Sequence, residues 1–428
     1  MATPSCDLYV DPLVPSEDLR AAVRRVCKVL VKDWANIDES TFGVSTITGG
    51  ITNLLLKVWV DGKGVSPDTV TVRIFGANTE AVIDRNRELQ ALRHLSRAGF
   101  GAQLIGLFEN GMVQSFIVAS TLSPPDLSKP RLAAHIAKEL RRLHETEVPG
   151  SREPQLWVEI GKFTDEASTV SFDDHSKQKT YDTISFIELR EEIQALKKSC
   201  DYLEAPLVFA HNDLLSGNIM YNEDTDTLHL IDFEYSSYSY RGYDIANHFN
   251  EYAGFDCDYS LYPKKEAQYH FFRHYLHSDS PNKATETELE SLYVETNVYA
   301  LASHLYWAVW AIVQARFSSI GFDYLGYFFL RYNEYKKKKT EHLQLIQLKN
   351  QKDSGIPSQD VQNYFFEAEV ASEGRQELGA AALHHSGLPE SGHSIPRPLA
   401  SLEAETRRIV RNPADLHVLE HFIEAGKL

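Results

Sequence analysis

The segment His211-Asn-Asp213-Leu-Leu-Ser-Gly-Asn218 sets a carboxylate and a carboxamide five residues apart, and a further carboxylate, Asp232, follows a second short apolar run. Phosphoryl transfer asks for these residue types. It needs a carboxylate to orient the attacking hydroxyl and take its proton, oxygen ligands for the Mg2+ that bridges the phosphates, and a cation on the phosphates. Asp213 suits the first task, and Asn218 with Asp232 the second. Upstream, Arg73 in a β-branched run and Glu88 in the next helical stretch could form the cationic clamp, because arginine keeps its charge and offers two donors to phosphate oxygens. In Gly49-Gly50-Ile-Thr52-Asn53, the backbone N–H groups and short side chains of Gly50, Thr52 and Asn53 could approach ATP phosphates. Taken singly, each feature has an ordinary explanation: an Asp and Asn five apart usually make a turn, and a strand arginine usually faces solvent. Their joint occurrence, in one order and each beside the right kind of element, points to catalysis. His211 reads instead as a hydrogen-bonded scaffold.

The elements that must hold these residues follow from periodicity. Residues 16–36 carry Leu19, Val23, Val26 and Leu30 at helical spacing, and residues 45–61 read as strand, Gly-bearing turn, strand. Residues 69–75 alternate as a half-buried strand should. With Asn78 as N-cap, Val82, Ile83, Leu89, Leu92 and Leu95 fall on one helical face until Gly99. A strand over 112–119 precedes the Pro-containing run STLSPPDL, which marks a boundary. A helix over 131–144 and strands over 206–210 and 228–231 lead to the two chemical segments, and an aromatic-rich, mostly helical region extends to about Lys339. The division expected is therefore 1–119 as an N-terminal ATP-binding lobe and 120–339 as a C-terminal catalytic and substrate-binding lobe. Residues 340–428, rich in Pro, Ser and Gly without sustained periodicity, are expected to be a poorly ordered extension.

Composition restricts the alternatives. With 60 acidic against 43 basic residues the formal charge is -17, which opposes nucleic-acid and anionic-membrane binding and mildly favours cationic ligands. Cys6, Cys27, Cys200 and Cys257 form no CxxC pair, so neither a disulfide framework nor a structural zinc site is suggested. The N-terminal residues lack a basic start and an apolar core, so they do not read as a secretory signal. The apolar stretch 301–315 is interrupted by Ser303, His304 and Gln314 and is too short to span a bilayer. A cytoplasmic location is expected.

The spacing of Asp213, Asn218 and Asp232 resembles the catalytic loop and metal-binding turn of protein kinases, and Arg73 and Glu88 stand in the order of their strand Lys and helix Glu. Past Asp232 the likeness to protein kinases ends, with no Ala-Pro-Glu segment and no room for a long activation loop. There IDFEYSSYSYRGYDIANHFNEYAGFD strongly resembles the choline/ethanolamine kinase family, together with SHLYWAVWAIVQA and FDYLGYFFLRYNEY, over roughly residues 44–339. Through TITGGITNLLLKV, ENGMVQSFI and HFNEYAGFDCDYSLYP the chain is most similar to the ethanolamine kinases of plants.

That resemblance implies an α+β, bilobal, protein-kinase-like fold, with a small antiparallel-sheet lobe carrying a helix and a larger, mostly helical lobe. It implies Asp213 as the group facing the substrate hydroxyl, with Asn218 and Asp232 as Mg2+ ligands. The backbone from Phe116 to Leu122 would hold adenine at the hinge. Glu251 would lie near a substrate ammonium, and Trp307 and Trp310, on one helical face, would form an aromatic wall with Tyr324 and Tyr327. Ser239 stands where many members have Asn. The activity implied is ATP-dependent phosphorylation of ethanolamine to phosphoethanolamine, the first step of the CDP-ethanolamine route to phosphatidylethanolamine. Choline is the alternative acceptor, because aromatic faces suit a quaternary ammonium and a carboxylate suits a primary one, and both are present. A catalytically impaired scaffold of the same fold is the alternative from another class. The resemblance is compatible with a homodimer and gives no role to nucleic acid.

Overall fold

The alternation of residues 69–75 is realised as the central strand of a five-stranded antiparallel sheet. The computed structural model describes residues 3–47, 53–61, 64–76, 84–318 and 320–354. The small lobe contains α1 (Ser16–Leu30), β1 (Gly43–Ile47), β2 (Asn53–Trp59), β3 (Thr69–Phe75), α2 (Arg85–Arg97), β4 (Leu104–Phe108) and β5 (Gly111–Ser115), with strand order β1-β2-β3-β5-β4. Because side chains alternate across a strand, Val70, Val72 and Ile74 share one face with Leu56, Val58 and Val113. They pack there with Val23, Val26, Cys27 and Leu30 of α1. The opposite face carries Thr71 and Arg73, with Leu55 and Met112 directly beside Arg73 in the register.

Two details differ from the sequence expectation. The N-cap of α2 is Asp84, whose Oδ1 accepts from the backbone N–H groups of Asn86 and Arg87, both at 3.1 Å. Asn78, Val82 and Ile83 lie outside the described residues. The helix ends where expected, at Gly99, which takes the left-handed φ of +80° that glycine adopts without a Cβ penalty. The strand expected over 112–119 stops at Ser115, and residues 116–119 are irregular and join the lobes.

In the large lobe, β6 (Ser120–Thr121), α3 (Pro124–Leu127), α4 (Pro130–His144), α5 (Leu156–Ala167), α6 (His175–Tyr181) and α7 (Phe186–Asp201) precede the catalytic segment. Around it lie β7 (Leu207–Ala210), β8 (Ile219–Asn222), β9 (Thr227–Leu230), β10 (Ser237–Tyr240) and α8 (Arg241–Asn250), followed by α9 (Lys265–Leu276), α10 (Glu286–Phe317) and α11 (Tyr324–Ser354). β10 pairs with β7, and β6, β8 and β9 form a separate small sheet.

The 301–315 stretch proves to be part of the C-terminal half of a 32-residue helix, α10, longer than the sequence suggested. By length and composition it could cross a bilayer, yet 94% of its apolar window is buried inside the lobe. It is apolar all round because α5, α7, α8, α9 and α11 surround it. The last helix also continues past Lys339, where the boundary was expected. His342 and Ile346 are buried, and only residues 355–428 of the expected extension lie outside the described residues.

Candidate functional site

Strand β7 delivers the chain to His211, and the loop from there to Asn218 is fixed chiefly by one carboxylate. Asp244, on α8 and wholly buried, accepts from the backbone N–H of His211 at 2.8 Å and of Asn212 at 2.7 Å, and bonds His144 Nε2 at 2.8 Å. Burial alone would raise its pKa, but the bond to His144, that ring's charge and the loop N–H groups outweigh it and hold the carboxyl below its usual range. Asn212 takes a left-handed φ of 65°, which asparagine tolerates. Its side-chain amide donates to the Tyr235 carbonyl and to Ser237 Oγ, both at 2.9 Å. His211 is a scaffold as expected: Nε2 bonds the Ile231 carbonyl at 2.9 Å and the ring lies 5.0 Å from that of Phe233. Behind the loop, burial lowers His248 to about 4, and its Nδ1 therefore donates to the Leu214 carbonyl.

This frame holds Asp213 and Asn218 together. Asn218 Nδ2 donates to the Asp213 carbonyl at 2.8 Å and to its Oδ2 at 3.0 Å. Burial raises the Asp213 pKa well above its ordinary value, and the nearby carboxylates Glu251, Asp232 and Glu234 raise it further. Asp232 stands in a left-handed conformation, φ 64°, at the turn after β9.

The clamp forms across the lobes. Arg73 Nη1 meets Glu88 Oε1 at 3.0 Å, as the sequence anticipated, and Nη2 reaches Asp232 at 3.2 Å and Glu234 at 2.8 Å. Arg85 adds a second guanidinium, 2.7 Å from Glu88 and 3.4 Å from Glu234. Asn53, at the start of β2, donates to the same Glu234 oxygen at 3.3 Å. Three carboxylates against two arginines leave net negative charge, and Glu234 shows it: burial and Asp232 push its pKa up to about 7, against the pull of Arg73 and Arg85. A divalent cation among these oxygens would relieve that crowding. Among the described residues no three His, Cys, Asp or Glu side chains converge at metal-ligand spacing. Mg2+ held by Asn218, Asp232 and phosphate oxygens does not need such a cluster.

Tyr235, Trp307, Trp310 and Tyr324 pack as a chain of rings, the expected aromatic wall. Trp307 and Trp310 are 5.1 Å apart at their ring centres, with Tyr235 at 5.5 Å from Trp307 and Tyr324 at 5.8 Å from Trp310. Their indole nitrogens are committed, to Asn247 Oδ1 at 2.6 Å and to the Tyr235 hydroxyl at 2.9 Å, so the rings are held in place. Tyr327 and Glu251 both bond Arg331.

The structure thus links Asn53, Arg73, Glu88 and Asp232 through one set of ion pairs and hydrogen bonds, holds Asn218 against Asp213, and sets Asp213 within reach of the charges of Asp232 and Glu251, while Trp307, Trp310 and Tyr324 pack together and Tyr327 shares Arg331 with Glu251. Gly50 and Thr52 lie outside the described residues. Phe116 sits at the interlobe link with Lys57 Nζ 4.5 Å from its ring centre. Leu122 is buried in the large-lobe core and its N–H is spent on the Ile219 carbonyl, while that of Ala119 is spent on Ile117. Ser239 is buried on β10, and among the described residues its Oγ has no hydrogen-bond partner. Sequence reasoning missed Arg85, Glu234, Tyr235, Asp244, Asn247 and Arg331. The available signal was a charged or amide side chain inside an otherwise apolar run, as in IDFEY and YDIANHF.

Comparison with known proteins agrees with this geometry. Residues 44–336 match the choline/ethanolamine kinase family model. The chain is 57% identical to a probable ethanolamine kinase of Arabidopsis thaliana, over 80% of this chain and 92% of that protein. It is 39% identical to ethanolamine kinase 1 of Mus musculus, over 71% and 86%. Among solved structures, an ethanolamine kinase of Plasmodium vivax superposes with a TM-score of 0.67 at 32% identity, covering 76% of this chain and 90% of that one.

Proposed function

The chain belongs to the choline/ethanolamine kinase family, and from that premise we propose that it transfers the γ-phosphate of ATP to the hydroxyl of ethanolamine, giving phosphoethanolamine and ADP. The observation that supports this reading is the company of Asp213: Asn218 bonds it at 3.0 Å, and it stands near enough to Asp232 and to Glu251 for both charges to act on it. In this reading the hydroxyl oxygen attacks the γ-phosphorus in line with the departing ADP, and its proton passes to Asp213, whose raised proton affinity suits it to accept. Asn218 and Asp232 would hold Mg2+, which when bound neutralises charge on the phosphate oxygens. The Arg73–Glu88 pair keeps the small-lobe sheet aligned over them. Glu251 takes the ammonium, and the wall excludes water and fixes the carbon chain, so the hydroxyl meets Asp213 in one orientation. Working in the cytoplasm fits a chain whose most apolar helix, α10, is the core of its own large lobe.

The preference for ethanolamine over choline draws on the relatives that match the chain. Coupled ADP-release assays of the full-length protein with ethanolamine and choline in parallel test it. Turnover with ethanolamine at the higher kcat/KM is expected. Preference for choline would reassign the acceptor, and no turnover with either would favour a non-catalytic scaffold.

A further inference from the structure

Arg331 is the most deeply buried arginine of the described large lobe, 1% exposed, and its charge needs an account that stability alone does not give. Its Nη1 donates to Glu251 Oε1 at 3.2 Å and to the Tyr327 hydroxyl at 3.1 Å. Its Nη2 donates to the Ser303 carbonyl at 3.2 Å and to Ser303 Oγ at 2.9 Å. Ser303 Oγ in turn donates to Asn247 Oδ1 at 2.8 Å, the oxygen that also receives Trp307 Nε1, and Asn247 Nδ2 donates to the carbonyl of Asn212 in the catalytic loop at 3.1 Å. One planar fork therefore joins the carboxylate, the aromatic wall and the backbone next to Asp213.

We infer that Arg331 is a positioning residue for the amino-alcohol acceptor: it fixes Glu251 as a carboxylate with one oxygen engaged and the other left to accept the substrate ammonium. The inference rests on the role proposed above for Glu251. Two opposing effects must be weighed. A cation already against Glu251 subtracts from its attraction for a second cation. Without that cation, however, a buried carboxylate near Asp213 takes up a proton and loses its charge altogether. Burial raises the Glu251 pKa even with Arg331 present, and Arg331 is the group that opposes that rise. The second effect is the larger, because a protonated carboxyl offers the ammonium no charge at all.

The other groups facing this pair do not replace Arg331. Tyr259, Tyr327 and Cys257 surround the guanidinium, burial raises all three, and each is neutral near pH 7. His304, buried beside it, is pushed well down and stays uncharged. Asp213, whose pKa burial and Glu251 raise, brings no positive charge to the pair.

The test measures the KM for ethanolamine, and the Ki of choline as a competing permanent cation, from pH 6 to 8.5 in wild type, R331M, R331K and E251Q, with folding checked by denaturant midpoint. Wild type should give flat profiles. R331M should raise the ethanolamine KM on the order of tenfold or more at pH 6.5, falling by up to about tenfold per pH unit as Glu251 ionises. The choline Ki should follow the same slope, and the KM for ATP should stay unchanged. R331K keeps the charge and should give a flat profile with a severalfold higher KM. Equal, pH-independent losses in R331M and R331K would reduce Arg331 to a packing residue and overturn the inference. If R331M does not fold, a sloping profile in R331K overturns it as well. A wild-type ethanolamine KM in E251Q would instead remove the role proposed for Glu251. A raised KM in E251Q beside a flat R331M profile would remove only the inference about Arg331.

Discussion

Replacing Asp244 by Asn changes one buried atom pair and tests whether the catalytic loop is held as described. The carboxylate receives three donors: His211 N–H and His144 Nε2 on one oxygen, and Asn212 N–H on the other. An asparagine of the same shape can present only one oxygen. In its best orientation it keeps the two-donor side and turns its NH2 toward the Asn212 N–H, which loses its acceptor. One buried donor left unpaired costs about 1–3 kcal/mol, and two charge-assisted bonds reduced to neutral ones add about 1–2 kcal/mol together, for a total of about 2–5 kcal/mol. The Asn212 peptide immediately precedes Asp213, so relaxation there displaces the carboxylate proposed to meet the hydroxyl, and a shift of ~1 Å costs on the order of a hundredfold in rate. Urea unfolding with a steady-state assay should therefore show a loss of that size in stability, a kcat reduced about a hundredfold, and little change in KM, since neither the clamp nor the aromatic wall is touched. A variant with the wild-type midpoint and the wild-type kcat would refute the anchoring role of Asp244.

Other perturbations separate the remaining parts. Asp213→Asn should lower kcat by roughly 10³-fold while raising the unfolding midpoint at pH 8, because the native state strains to keep that carboxylate ionised; a lower midpoint would count against the strain. Arg73→Lys should raise the KM for ATP about tenfold, since one ammonium does not span Glu88, Asp232 and Glu234 together; an unchanged KM would show the clamp to be dispensable. His248 and His342 are both buried with pKa values lowered to about 4. Below pH 6.5 the unfolded chain binds protons that the native state excludes, so stability present at pH 7 is lost as pH falls toward 4, by up to roughly 3 kcal/mol for each ring. Denaturant midpoints that stay level from pH 7 to pH 5 would contradict this.

How far the sequence reveals this molecule depends on the range over which each signal acts. Helix α1 and strands β2 and β3 bury one face and expose another, and that alternation is written locally in Leu19, Val23, Val26 and in Val70, Val72, Ile74. Arg73, Asp213, Asn218 and Asp232 were legible through spacing and order. Strands β4, β8 and β10 were not anticipated, being four or five residues long and ordered by pairing instead of pattern. The N-cap at Asp84 was misplaced because Asn78 is an equally good capping type. Most of the hidden residues are tied to a partner distant in the chain. Arg331 meets Glu251 80 positions away, and Arg73 meets Glu234 161 positions away. No window of local sequence contains both members of either pair.

The central place of α10 also bears on how the chain is made. Everything it touches except α11 is encoded before it. A ribosome thus releases the whole small lobe, whose sheet is complete by Ser115, long before the large lobe receives its centre. Until Phe317 emerges, the shell formed by α5, α7, α8 and α9 has an apolar interior with nothing to close on. Termination between Leu276 and Phe317 leaves the small lobe attached to a sticky, open cup, so such shortened products tend toward aggregation and not toward partial activity.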